Sequence, residues 1–332
     1  MKLNLNCLVV LFVIIIVAAG CNFDNPDDTN ARVNQENTLK KYLATITPIS
    51  KTKDGLYYIV QYNGGKDTIN DKDTLKTNNW VRMNFAGYVL NSDLSLTVYE
   101  TNIDSIAKAN NFSSSTAFQF PIWFQLTAQK MLGEVEGVKL MKKHARYRFI
   151  IPYSINGFGA DMSSDGIIQP YATLVYDVEL IEKIPNPVLR DSSYFYKVVN
   201  SFKDTISDST HNVYIANHSN VSSIDTIKSG DTINLQHQII MIDSSYNLSS
   251  NYVTDTAIIV GHNTIIPGGG LDLALINKKF GLRPGSTATL IIKYSYAFGA
   301  GGVSNTSHQM VIPPYTSVIC KIIIISKVHK TK

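Results

Sequence analysis

Two long stretches of this chain repeat one another in outline, and that duplication limits the folds open to it. Residues 148–180 read RFIIPYSINGFGADMSSDGIIQPYATLVYDVEL, and residues 289–325 read TLIIKYSYAFGAGGVSNTSHQMVIPPYTSVICKIIII. Each runs through an apolar strand, a Tyr-Ser, a Phe-Gly-Ala, a polar loop, an Ile-x-Pro-Tyr and a closing apolar strand. Two long copies point to a duplicated domain rather than a solenoid, which needs several short repeats. At 332 residues the chain is long for one core and suits two domains of ordinary size.

The first fifty residues read differently. Lys2 precedes CLVVLFVIIIVAAGC, an apolar run too short for a comfortable membrane span and placed as the core of a signal peptide. It closes on Ala18-Ala19-Gly20-Cys21, which resembles a bacterial lipobox cleaved before an acylated cysteine. Residues 1–20 are then a signal peptide, and Cys21 is the lipidated mature N-terminus that holds the protein to a membrane. Residues 21–50 read as the lipidated Cys and a polar tether. Acidic residues just after Cys21 resemble surface-export signals of Bacteroidetes-like lipoproteins. With Cys7 lost and Cys21 acylated, Cys320 stands alone in a β-rich run as a small buried hydrophobe, and no disulfide or CxxC metal site is available. Charged residues are 17% of the chain and disperse to a net charge of +4, which gives no case for nucleic acid as a partner.

Beyond Gly55 the pattern is mostly β. GLYYIVQY and WVRMNFAGYVL are aromatic, β-branched and alternating, as strands are. Met131, Val135, Val138 and Met141 recur at three- and four-residue spacing and predict one short amphipathic helix over 130–143. PNPVL, 185–189, breaks any regular element and marks a linker over 185–191. In the second half SYFYKVVN answers GLYYIVQY, DTIKSGDTINLQHQIIMI answers DTLKTNNWVRMNFAGYVL, and GGGLDLALINKKF stands where the helix belongs. The fold class is α+β twice over: two domains, 51–184 and 192–328, each a twisted antiparallel sheet wrapped on one short helix.

An ordered set of motifs in the first copy resembles the FKBP-type peptidyl-prolyl cis-trans isomerases. The set comprises a G-x-x-x-G-V helix from Gly133 to Val138, Ile151-Pro152, Phe158 to Ala160, Ile168 to Leu174, and Tyr176 to Leu180. In the second copy IIPGGGL and IPPYT carry the same likeness. The resemblance implies a substrate pocket in copy one lined by Phe85, Tyr99, Glu100, Met131, Phe158, Ile167, Ile168 and Tyr176, with one of Phe118, Phe120 or Phe124 as another wall. Tyr99-Glu100 stands where the family writes Phe-Asp, Glu134 replaces the Trp of the pocket floor, and Phe158 replaces the loop Tyr. A carboxylate at position 134 would be costly on a dry floor unless it turns out to solvent. Copy two keeps only Ile266, Phe298, Val311 and Ile312, with His237, Gly269 and Cys320 at positions of large rings.

The chemistry suits such a site. Rotation about an X–Pro bond breaks amide resonance over a barrier of about 18–20 kcal/mol, and a dry pocket shaped for the twisted state lowers it without a nucleophile. No metal and no cofactor are expected, and His144, His211, His218, His237, His262 and His308 lack paired ligand spacing and read as loop or surface residues. The implied partners are prolyl-containing polypeptides, macrolide pocket ligands and, through Cys21, a membrane. The expected setting is the cell envelope, on the periplasmic or cell-surface side of the outer membrane. The expected activity is prolyl isomerisation confined to the first domain, in a folding chaperone for exported proteins. The alternative is a catalytically weak FKBP-like lipoprotein acting in protein binding or envelope assembly. A β-sandwich adhesin would have no use for the 130–143 helix.

Overall fold

A computed structural model of the chain describes residues 26–65, 75–112, 121–127, 132–156, 158–219, 221, 224–242, 253–262, 265–304 and 310–328. Five helices are described: α1 (Pro26–Ala44), α2 (Asp104–Ala109), α3 (Leu132–Leu140), α4 (Pro187–Ser201) and α5 (Gly270–Ile276). The strands of the first half are β1 (Ser50–Lys51), β2 (Tyr57–Tyr62), β3 (Trp80–Leu90), β4 (Leu96–Thr101), β5 (Ile122–Gln125), β6 (Arg146–Ile151) and β7 (Leu174–Ile184). Those of the second half are β8 (Ile206–Asp208), β9 (Val213–Ala216), β10 (Thr232–Met241), β11 (Val253–Ile259), β12 (Thr287–Ile292), β13 (Val303–Ser304), β14 (Met310–Ile312) and β15 (Val318–Val328). The fold is mixed α+β with antiparallel sheets and few helices, as the alternating patterns predict.

One large sheet has the order β1-β2-β6-β7-β3-β4, with β5 added on β3; a second has the order β11-β10-β15-β12-β9-β8; β13 and β14 pair as a two-stranded sheet. Read from opposite ends, the two orders match strand for strand. The described residues also fall into two compact units. The first takes in α1, β1, β2, the second half of β3, β4, α2, α3, β6 and most of β7; the second takes in the start of β3, β5, the end of β7 and everything from α4 onward.

The duplication extends to single hydrogen bonds. Ile150 lies between Tyr57 and Val175 in the first sheet, and Ile291 lies between Tyr214 and Ile319 in the second. The Leu90 N–H donates to the Thr173 carbonyl and the Ile242 N–H to that of Ser317, each at 3.0 Å. A 3-10 turn follows β6 at Tyr153–Ile155 and another follows β12 at Tyr294–Tyr296. Tyr171 and Tyr315 both take left-handed backbone, φ 60 and 53, and both donate an N–H to the glycine of the Phe-Gly-Ala. Each packs edge-on against the first tyrosine of its own 3-10 turn.

Strand alternation sends one set of side chains to each sheet face. In the first unit Phe149 and Ile151 face α3. Helix and sheet come this close because Gly133 and Gly137 carry no side chain: a Cβ there would lie 2.6 Å from Ile151 and 2.7 Å from Phe149. The opposite face, with Tyr88, Leu90, Ile150 and Val175, packs against Leu39, Tyr42 and Leu43 of α1. Tyr171 and Tyr153 hydroxyls donate to Asp28 and Glu36 of that helix at 2.7 and 3.0 Å. Part of the segment read as a polar tether is therefore helix, and the residues it packs on the sheet, Leu39, Tyr42 and Leu43, lie in its last two turns.

A second correction concerns SYFYKVVN, which is not the counterpart of GLYYIVQY. It lies in α4, and the strand equivalent to β2 is β9. PNPVL starts that helix rather than breaking the chain: Asn186 caps it by accepting the Leu189 N–H, and Pro187 sits at its first turn, where no amide donor is needed. Phe195 and Val199, four residues apart, then bury one face against Ile242 and Ile291. The Asp191 carboxylate locks the helix down by accepting both the N–H and the hydroxyl of Ser317, at 2.8 and 2.7 Å.

Candidate functional site

The site of the first unit is assembled at a defect in its sheet. β3 pairs with β4 in register from Leu90 to Tyr88; the register then shifts, so that Gly87 faces Glu100 and Tyr99 is the extra residue. Such a bulge re-aims side chains that regular alternation would send to opposite faces. Here it brings Tyr99 and Glu100 together, against Tyr176 of β7. Phe85 and Gly87, two apart on β3, face the same way. The Phe85 backbone is held by the Asn102 side chain, which accepts its N–H at 2.7 Å, and by the Thr101 hydroxyl, which donates to its carbonyl at 2.7 Å.

The outcome is a corner of three rings and one carboxylate. Tyr176, fully buried, has its ring centroid 6.1 Å from that of Phe85 and 6.0 Å from that of Tyr99, the latter edge-to-face at 88°. Its hydroxyl donates to Glu100 Oε1 at 2.5 Å. With that proton committed, the hydrogen bond between the two tyrosines is donated by Tyr99. Burial first, and the Glu100 charge after it, hold both hydroxyls well above the usual tyrosine range. Both phenols therefore stay protonated donors across the physiological range, and the polar groups of the corner satisfy one another.

Gly87 makes the corner possible. A Cβ on it would lie 3.0 Å from Glu100 Cγ and 3.1 Å from Cε1 of both Tyr99 and Tyr176. Of the two settings open to Glu134 the structure shows the buried one: it is 5% exposed, in the first turn of α3. The N-terminal end of a helix favours a carboxylate, which offsets part of the cost of its burial, and its charge contributes to raising both tyrosines.

The loop over 158–172 brings the remaining residues. Phe158 is half-buried at its start, Ile168 is buried, and Ile167 is 44% exposed at its far turn. Phe85, Tyr99, Glu100 and Tyr176 are thus brought together in contact, while Phe158, Ile167 and Ile168 share one loop. Met131 lies outside the described residues, as do Phe118 and Phe120; Phe124 is buried on β5. Two residues that shape this corner and its loop escaped the sequence reading. Gly87 had one available signal, a lone glycine inside a strand pattern. Asn156, fully buried beside the loop, had none.

The equivalent place in the second unit is packed with side chains. The shared register sets His237 against Phe85, Ile239 against Gly87, and Cys320 against Tyr176. Ile239 and Cys320 are direct cross-strand partners, and both pack in the core of that unit. Ile266 is fully buried in the same core and Phe298 packs on it; Ile312 is half-buried, and the side chain of Val311 lies outside the described residues. Burial pushes the Cys320 thiol up to about 12, which leaves it an unreactive apolar group. His237, read as a loop or surface residue, is 8% exposed on β10 with Nδ1 unpartnered, and burial lowers its pKa.

Residues 72–181 match the family model of the FKBP-type peptidyl-prolyl cis-trans isomerases. Among solved structures, the three FKBP domains of wheat FKBP73 share 15% identity over 85% of this chain and 99% of that one, with a TM-score of 0.29. A peptidyl-prolyl cis-trans isomerase from Pseudomonas syringae shares 19% identity over 49% of this chain and 99% of that one, at a TM-score of 0.35. FkpA from Escherichia coli shares 20% over 56% of this chain and 84% of that one, also at 0.35. No curated protein matches the chain.

Proposed function

We propose, starting from the FKBP-type domain over residues 72–181, that this chain is a peptidyl-prolyl cis-trans isomerase that assists the folding of exported polypeptides. The observation that carries the reading is the Phe85–Tyr99–Tyr176 corner built over Gly87. Its hydroxyls and carboxylate are engaged with one another, so a prolyl ring that reaches the partly exposed Tyr99, with Phe85 and Tyr176 buried behind it, meets no unsatisfied donor. A prolyl ring held there leaves water while its amide twists. The twisted amide has lost its charge-separated resonance form, so a dry wall stabilises it relative to the planar ground state, and each ~1.4 kcal/mol of that preference gives about tenfold in rate.

Activity belongs to the first unit on this reading. Ile239 stands in the second where Gly87 leaves room, and Cys320 and His237 replace two of the three rings. That unit then serves as a spacer, a client-binding surface or a dimer contact.

An isomerisation assay on the chain starting at Asn22, beside Phe158→Ala and Tyr176→Ala, tests the assignment. The parent accelerates cis-trans exchange of a proline-containing peptide and is inhibited by a macrolide pocket ligand. Each variant loses about tenfold or more in kcat/KM, the scale of one misplaced wall. A flat trace from folded parent would instead favour the binding-module alternative, in which the two modules only hold partners.

The same proposal places the protein at the cell envelope, anchored by acyl chains on Cys21 after cleavage of residues 1–20, on the periplasmic or cell-surface side of the outer membrane. Support comes from the apolar run and the Ala18-Ala19-Gly20-Cys21 ending. Metabolic labelling with a fatty acid in a bacterial host should mark the full chain and not Cys21→Ser. Label retained by the variant would remove the lipid anchor from the proposal.

A further inference from the structure

Asn156 is fully buried, and its carboxamide spans both ends of the loop that carries Phe158, Ile167 and Ile168. Its Oδ1 accepts the N–H of Phe158 at 2.8 Å and that of Gly159 at 3.2 Å. Its Nδ2 donates to the Ala172 carbonyl, fourteen residues beyond Phe158, at 2.7 Å. One backbone bond runs beside this brace, from Tyr171 N–H to the Gly159 carbonyl at 2.9 Å. Further out, the loop is tied to itself: Ser163 N–H donates to the Ile168 carbonyl and Ile168 N–H to the Ser163 hydroxyl, both at 2.9 Å. The outer loop is thus a preformed piece, and Asn156 sets where that piece is mounted.

The second unit supplies a comparison. Its residue after the 3-10 turn is Ala297, also fully buried, where the first unit has Asn156. A methyl group can neither accept from the loop's start nor donate to its end. The brace therefore belongs to the unit that keeps the aromatic corner, and it is absent from the unit whose corner is filled by Ile239. A polar side chain is costly to bury unless its groups are satisfied. This one is satisfied by three backbone groups of a single loop, so its structural work is directed at that loop.

We infer that Asn156 is a positioning residue of the isomerase site, holding Phe158 and Ile168 at fixed distance from the Phe85–Tyr176 wall. The inference rests on the isomerase reading of the first unit. Asn156 meets loop backbone rather than substrate, so its loss degrades the alignment of the wall for the twisted amide. Misplacement by about 1 Å can cost up to 100-fold in rate.

The test uses Asn156→Asp, which keeps the acceptor oxygen and removes the donor to Ala172, and Asn156→Ala, which removes both. Three readouts are taken on the chain from Asn22: kcat and KM on a proline-containing peptide, the melting temperature, and amide exchange of Phe158 and Gly159. Both variants should lose about tenfold or more in kcat/KM, carried by kcat; the two amides should exchange faster in Asn156→Ala, which removes their acceptor, and stay near the parent rate in Asn156→Asp, which keeps it, while both variants melt cooperatively below the parent. Unchanged kcat/KM with faster exchange of the two amides would overturn the positioning role. Should neither variant fold, the parent decides: amides of Phe158 and Gly159 that exchange as fast as an unstructured chain would also overturn it. An active parent with unaffected variants fails the inference alone, whereas an inactive folded parent fails the isomerase reading and takes this inference with it.

Discussion

Gly87→Ile should abolish isomerisation while leaving the protein folded. The first added carbon would already meet three side chains at 3.0–3.1 Å, and an isoleucine adds three more carbons in the same direction. Tyr99, Glu100 and Tyr176 are tied to one another by hydrogen bonds, so they cannot step aside singly. The ring wall is displaced as a block, and kcat/KM falls by about 100-fold or more, equivalent to ~2.7 kcal/mol. The stability cost is that of overpacking, about 1–3 kcal/mol. The second unit shows how the sheet accepts such a residue, since Ile239 sits opposite Cys320 and packs in the core there. Adding Tyr176→Cys to Gly87→Ile should therefore restore much of the melting temperature and none of the activity. Isomerase assays and thermal melts on the two variants read both effects. Activity within about threefold of the parent in Gly87→Ile would mean that the corner is core and that the prolyl ring binds elsewhere.

That pair of positions also shows where sequence reading reaches its limit. The closing unit of each copy was legible because its motifs are local: a 3-10 turn, a left-handed tyrosine and an apolar strand follow each other within about thirty residues. Helix α3, Leu132–Leu140, was legible from Val135 and Val138, with Met141 just past its end, and its two glycines from the spacing they keep. The bulge at Tyr99 was not, because an extra residue in a strand leaves no mark until its partner strand is known. The burial of Glu134 was hidden for a related reason: at a helix N-terminus a carboxylate is an ordinary surface choice, and only the tertiary packing turns it inward. SYFYKVVN misled because aromatic and β-branched residues favour strands by local preference. In α4 the capping of Asn186 and the burial of Phe195 and Val199 outweigh that preference. Both packing helices escaped for this reason: each is specified by the sheet it covers.

A large loss of stability is expected from Glu182→Ala. Glu182 Oε1 and Oε2 accept from Arg190 Nε and Nη2 at 2.7 and 2.9 Å, and Oε2 also accepts from Arg82 Nη1 at 3.0 Å. The side chains of Arg82, Arg190 and Glu182 are 4%, 13% and 21% exposed. Arg190 lies in addition over the rings of Trp123 and Tyr194, 5.1 and 4.9 Å from their centroids. Removing the carboxylate takes from both guanidiniums a partner held with little water around it, and breaking a buried pair from one side costs about 3 kcal/mol. For a unit of this size the melt should fall by roughly 6–12 °C. The contrast is Lys108→Ala. The Lys108–Asp104 pair is as short, 2.6 Å, yet its side chains are 72% and 40% exposed, so its loss should cost no more than about 0.5 kcal/mol. Comparable melts for the two variants would show that water reaches Glu182 and that the trio is held as weakly as a surface pair. A wide gap between them would make burial, not distance, the quantity that ranks the ion pairs of this protein.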